Sequence, residues 1–132
     1  MWKMFIDDER VPSGSELNNF RQKIGAVNNQ LDLDEQFIIV RSVQEAQDKI
    51  KELGAPVFIS FDHDLGHNVP TGFDFSKWLV DMDLDANEQF LPNNFDFFVH
   101  SANPPGRKNI EGLLTPYLEY RNRNQSSMKK KI

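Results

Sequence analysis

Four short apolar runs alternate with four stretches of helical periodicity, and that alternation leaves the chain few folds to choose from. The runs are Trp2 to Ile6, Phe37 to Val40, Val57 to Phe61 and Phe95 to Val99. Each is a near-continuous apolar block. That is the pattern of a strand covered on both faces in a parallel sheet, not the in–out alternation of a half-exposed one. Between them, Ser13-Gly-Ser-Glu16 and Ser42-Val-Gln-Glu45 have capping-box spacing. Leu17, Phe20, Ile24 and Val27 follow the first box at helical intervals. Val43, Ala46, Ile50 and Leu53 follow the second, with Gly54 as its C-terminal cap. Thr71 to Met82 forms a third helix with Phe75, Trp78, Leu79 and Met82 on one side. Asn103-Pro104 opens a fourth, with Ile110, Leu113, Leu114, Tyr117 and Leu118 on its apolar face. Pro116 is expected to kink or split that helix. The order βαβαβαβα predicts one α/β domain around a mainly parallel sheet of about four strands, with no fifth strand after Tyr117.

Composition narrows the setting. The 132 residues suit a single domain, spanning residues 1–120 by this reading. There is no cysteine, hence no disulfide framework and no thiolate metal site. No apolar stretch approaches a membrane span, and Asp7, Asp8 and Glu9 fall where a signal peptide would need its apolar core. The expectation is a cytoplasmic protein, in a host's cytoplasm if the source is viral. All 20 acidic residues and 10 of the 15 basic ones precede Arg121, so the body is strongly acidic. Such a body repels polyanions unless a metal or local basic groups intervene. Residues 121–132 carry five basic residues and no acid. They read as a solvated, disordered tail, with electrostatic contact to nucleic acid as the alternative.

In an open parallel sheet, ligands bind beyond the carboxyl ends of the strands, where strand order reverses. Every polar cluster of this chain falls at such an end. Asp7 and Asp8 follow the first strand, Arg41 the second, Asp62-His63-Asp64 the third, and His100, Ser101 and Asn103 the fourth. Right-handed crossovers would bring all four to one edge.

Three or four carboxylates from Asp7, Asp8, Asp62 and Asp64 would repel unless some took up protons or a cation joined them. Magnesium, or manganese in its place, suits such hard oxygen ligands and also binds substrate phosphate. His63 and His100 are candidate general acids or bases. A transition-metal site from Asp62, His63, Asp64 and His67 is the minor alternative. Arg10 and Arg41 are candidates for bidentate phosphate recognition or for pairing with the surplus acids. Asn103 to Ile110 opens a helix, where Gly106 and exposed amides would meet an anion. Asp81, Asp83, Asp85 and Asn87 imitate a calcium loop, but Ala86 and Pro92 stand where glycine and glutamate are required. That segment reads as a solvated helix end and loop.

Asp7-Asp8, Asp62 and Ser101-Ala102 resemble the acidic pair, phosphoacceptor and Ser/Thr-Ala of response-regulator receiver domains, although the fifth strand and its lysine are missing. The chain more closely resembles the cyclic-phosphate processing receiver domain family. The matching stretches are Ile6-Asp-Asp-Glu-Arg10 with Pro12, Arg41 with Ala46, and Ile59-Ser-Phe-Asp-His-Asp-Leu-Gly66. Thr71-Gly72 with Trp78, and Val99-His-Ser-Ala-Asn-Pro104 with Gly106, complete the set. The resemblance implies a receiver-like, flavodoxin-like three-layer sandwich, truncated relative to a five-stranded receiver. It implies a metal-assisted phosphoesterase acting on cyclic phosphates, either 2′,3′-cyclic RNA ends or cyclic nucleotides. Asp7, Asp8 and Asp62 would then hold the ion, and His63 or His100 would move the proton. Ser101, Arg41 and Asn103 would meet phosphate oxygens, and Asp64 would ligate the metal or orient a histidine. A covalent aspartyl-phosphate at Asp62 is a further route. The alternative is a module of the same fold that binds a phosphate ligand or a protein partner without turnover.

Overall fold

A computed structural model describes residues 1–12 and 37–130, the last five by backbone alone. The described elements are β1 (Lys3–Ile6), β2 (Ile38–Val40), α1 (Val43–Leu53), β3 (Phe58–Phe61), α2 (Gly72–Asp85), β4 (Asp96–Val99) and α3 (Pro104–Lys130). The helix expected between Ser13 and Val27 lies outside the described residues.

The four strands form one parallel sheet in the order β2-β1-β3-β4. Order reverses between β1 and β3, so their carboxyl ends flank the crevice where ligands of open sheets bind. The ladders run one residue past the strands: the Asp7 amide donates to Val40 O, that of Asp62 to Ile6 O and that of His100 to Phe61 O. The first residue after each of these strands is therefore held as firmly as the strand itself.

Alternation along the strands sorts side chains to two faces. Met4, Ile6, Ile59, Phe61, Phe97 and Val99 join a buried cluster with Ala46 and Ile50 of α1, Phe75 and Leu79 of α2, and Ile110 and Leu114 of α3. Burying each of the larger of these side chains contributes on the order of 1.5–3 kcal/mol. The opposite face carries Phe5, Phe37, Val57 and Phe58, with Ile39 and Phe98 packed against them. By the same alternation Asp7 follows Phe5, Asp62 follows Phe58 and Ser60, and His100 follows Phe98. The functional edge thus belongs to this second face.

The caps follow local chemistry. Ser42 Oγ accepts the Glu45 amide, and Gly54 ends α1 at φ 82°, a conformation costly for side chains other than glycine. Thr71 and Asp74 form a reciprocal capping box at the start of α2.

Two expectations are corrected. Arg121 was expected to begin a solvated tail, but α3 runs without a break through Pro116 and past Arg121 to Lys130. Arg121 itself is 1% exposed. Its guanidinium donates to Leu91 O at 2.8 Å and lies 3.1 Å from Asp83. Asp83, expected in a solvated helix end, is fully buried. Its Oδ1 accepts the amides of Phe90 and Leu91 and its Oδ2 accepts the Tyr117 hydroxyl at 2.6 Å. Burial and the Asp83 carboxylate push the Tyr117 phenol well above its ordinary range. Asp83 ties the loop before β4 to α3, and its charge is met by Arg121. Among the described residues no helix is long and apolar enough to cross a membrane.

Candidate functional site

Asp7 is the anchor of the site. It is 1% exposed, and four donors converge on its carboxylate. The amides of Glu9 and Arg10 both reach Oδ1 at 2.8 Å. Arg10 Nε reaches Oδ2 at 2.9 Å and His100 Nε2 reaches the same oxygen at 3.0 Å. Burial alone would raise the Asp7 pKa, but these donors and the Arg10 charge outweigh it and hold the carboxyl below its ordinary range. Asp62, on the neighbouring strand end, behaves oppositely. Burial and the adjacent Asp7 charge raise its pKa, against a partial offset from Arg10 and the His63 amide.

One oxygen each from Asp7, Asp8 and Asp62 lie within 4.8 Å of one another. Asp7 and Asp62 are buried while Asp8 meets solvent. Hard carboxylate oxygens so spaced fit a magnesium- or manganese-sized ion with waters completing its shell. Asp64 is not part of this group. Its side chain is 62% exposed, and its two oxygens bond His63 Nδ1 at 3.0 Å and Asn103 Nδ2 at 3.1 Å. These partners lower its pKa, His63 first and Asn103 second. Asp64 is thus engaged with His63 and Asn103 and stands apart from the acidic group. The transition-metal alternative also fails among the described residues, because His67 sits on the exposed loop away from any such cluster.

The two histidines have different surroundings. His100 is 8% exposed, and its ring stacks on Phe5 with centroids 4.3 Å apart and planes 4° from parallel. Because Asp7 is ionised, Nε2 carries the proton of the bond between them. Nδ1 lies 2.6 Å from Ser60 Oγ. With both nitrogens engaged, His100 fixes Asp7 from beneath; it does not reach into the cleft. His63 is tethered to Asp64 through Nδ1 alone, and among the described residues its Nε2 has no partner. Gly106 makes room for it: a Cβ there would fall 2.3 Å from the His63 ring.

A cleft of about 390 Å³ opens beside these residues, lined by Arg10, Asp62, Asp64, Ser101, Ala102 and Asn103. The residues expected to meet phosphate divide here. Arg10 lines the cleft and sits 3.5 Å from Asp62. Arg41 does not line it. Its Nη1 donates to the carbonyls of Asp7 at 3.1 Å and Arg10 at 2.8 Å, bracing the turn after β1. Asn103 lines the cleft and caps α3, its Oδ1 accepting the Gly106 amide at 3.0 Å. That amide is thereby used, and Gly106 serves the site by being small. Ser101 Oγ accepts the Asn103 amide at 3.0 Å, and its carbonyl accepts Arg107.

Ser60 was not among the expected site residues. The signal was present: a lone hydroxyl inside an apolar strand, two residues before Asp62 and so on the same face.

No curated protein and no solved structure matches the chain. The family model described as the cyclic-phosphate processing receiver domain matches residues 2–116. With its parallel sheet, the acidic group at the reversal of strand order and a match spanning both, the chain belongs to the cyclic-phosphate processing receiver domain family.

Proposed function

We propose that this protein is a metal-dependent phosphoesterase that opens cyclic phosphates, 2′,3′-cyclic ends or cyclic nucleotides. The observation that carries the reading is the group of three carboxylates, Asp7, Asp8 and Asp62, of which Asp62 also lines a cleft shared with Arg10, Ser101 and Asn103. Family membership supports cyclic phosphates as the substrate class.

Opening the ring consumes one water. A bond forms from the water oxygen to phosphorus, one ester P–O bond breaks, and a proton ends on the freed hydroxyl. A divalent ion held by Asp7, Asp8 and Asp62 would supply charge neutralisation on the phosphate and a more acidic water. The protein's own residues account for the rest. His63, bonded through Nδ1 to the cleft-lining Asp64, would offer Nε2 as the group that exchanges a proton with the reacting phosphate. Asn103 and Ser101 line the same cleft, where their side chains would contact phosphate oxygens. His100 and Arg41 stay outside it. They hold the Asp7 carboxylate and the backbone turn behind it, so the acidic group is rigid before substrate arrives.

The test is incubation with 2′,3′-cyclic and 3′,5′-cyclic nucleotides, with Mg²⁺ or Mn²⁺ and with chelator. Chelator-sensitive ring opening supports the enzyme. Nucleotide binding without product supports a binding module of the same fold.

A further inference from the structure

We propose that the Arg10 guanidinium is an exchangeable counter-ion which leaves Asp7 when a divalent cation arrives, so that cation and phosphate bind cooperatively. The inference rests on the metal-site reading above and adds a residue that couples its two ligands.

The constraint on Asp7 is one of valence. An ionised carboxylate offers about four lone-pair directions. Asp7 already receives four donors, two on each oxygen. A cation can bind this carboxylate well only where a donor gives way. The Glu9 and Arg10 amides are backbone, locked by the turn that Arg41 braces. The His100 side chain is 2% exposed, stacked on Phe5 and bonded to Ser60. The Arg10 side chain is the exception: it is 42% exposed and borders the cleft.

The same guanidinium also spans the gap a cation would fill. Nε lies on Asp7 Oδ2 at 2.9 Å, and Nη2 lies 3.5 Å from Asp62 Oδ1. It offsets the repulsion between two buried carboxylates, which explains how the acidic group is tolerated without metal. A cation that takes over this duty releases the fork from these two carboxylates, beside the open cleft. A phosphate in the cleft gives the fork a new bidentate partner. Each ligand then favours the other by the same factor, because coupling free energies are reciprocal.

The experiment is calorimetric titration of the full chain with Mn²⁺, with and without saturating methyl phosphate. It compares wild type, Arg10→Gln, Arg10→Lys and Asp62→Asn. The expected result is that Arg10→Gln binds Mn²⁺ between about five- and a hundredfold more tightly than wild type without phosphate, and that methyl phosphate strengthens Mn²⁺ binding less in Arg10→Gln. Arg10→Lys keeps the charge but has no fork, and should fall between the two. Simple charge removal would tighten Mn²⁺ binding yet leave the phosphate effect undiminished; that result overturns the exchange. Equal or weaker Mn²⁺ binding by Arg10→Gln overturns it too, while leaving the metal site standing. Absence of Mn²⁺ binding to wild type, or binding unaffected by Asp62→Asn, removes the metal-site reading itself and this inference with it.

Discussion

His100 donates from Nε2 to Asp7 Oδ2 across 3.0 Å, from one outer strand of the sheet to a central one. The bond joins the fourth strand's end to the first, over Ser60 of the strand between them. A residue in that position is expected to govern stability and the shape of the acidic group. His63, tethered only to Asp64, is expected to govern turnover.

The first prediction separates these two histidines. His100→Ala removes a stacked ring and leaves Asp7 short of a donor, which should cost roughly 2–3 kcal/mol of stability. It should also weaken Mn²⁺ binding. His63→Ala should change stability by under about 1 kcal/mol, while abolishing ring opening. Thermal melts run beside the activity assay check both.

The second concerns pH and two carboxylates of opposite sign. The Asp62 pKa is raised above its ordinary 3.8, so its charged form opposes folding. Below that ordinary value its influence on folding is at its most favourable, and this advantage is lost as pH rises through the raised value. Asp62→Asn should therefore raise the melting temperature of the metal-free protein at pH 7, and the gain should shrink as pH falls through the raised pKa. The Asp7 pKa is lowered, so its stabilisation is present above the ordinary 3.8 and is lost as pH falls through the depressed value. Asp7→Asn should lower stability at pH 7 by roughly 2–3 kcal/mol. Melting temperatures of both variants from pH 3 to 8, with chelator, test the opposite signs.

The third concerns two glycines. A Cβ at Gly106 would lie 2.3 Å from the His63 ring, while one at Gly72 would lie 2.0 Å from the Asp62 carbonyl oxygen. A side chain can swing aside, but the backbone of a parallel ladder cannot. Gly106→Ala should keep the fold and lose most ring-opening activity. Gly72→Ala should lose stability first, by about 1–3 kcal/mol. Denaturant titration paired with the activity of the folded fraction distinguishes the two.

The fourth concerns α3 beyond Tyr120. Ending the chain at residue 120 removes Arg121 and leaves the buried Asp83 without its cation. The expected loss is about 3–5 kcal/mol. Ending it at Gln125 keeps Arg121 and the Asn124–Glu88 bond, and should melt close to wild type. Melting curves of the two truncations decide it.

Much of the fold was legible because parallel strands announce themselves. Met4, Ile6, Ile59 and Phe61 had to be buried, and the continuous runs holding them gave strand number and direction. The site was legible as a place, since the edge rule gathers Asp7, Asp62 and His63 whatever their rotamers. Roles were less so. His100 and His63 are alike in composition and position, and only packing shows that one lies over Phe5 while the other borders Gly106. Arg41 could not be told from Arg10, because the choice between a carbonyl and a carboxylate is made by tertiary approach. Arg121 was misread because five basic residues near the end of a chain resemble a solvated tail. Nothing local tells that the first of them meets a buried aspartate 38 positions earlier.

The most direct test of the account follows phosphorus by NMR. Wild type, Asp62→Asn and His63→Ala would each be mixed with a 2′,3′-cyclic nucleotide and Mg²⁺, and the ring phosphate signal watched as it converts to a monoester. Conversion is expected from wild type alone, halted by chelator and restored by added metal. Conversion that continues unchanged in chelator or in Asp62→Asn would contradict it, as would a ring signal that persists with wild type and metal for both 2′,3′- and 3′,5′-cyclic substrates.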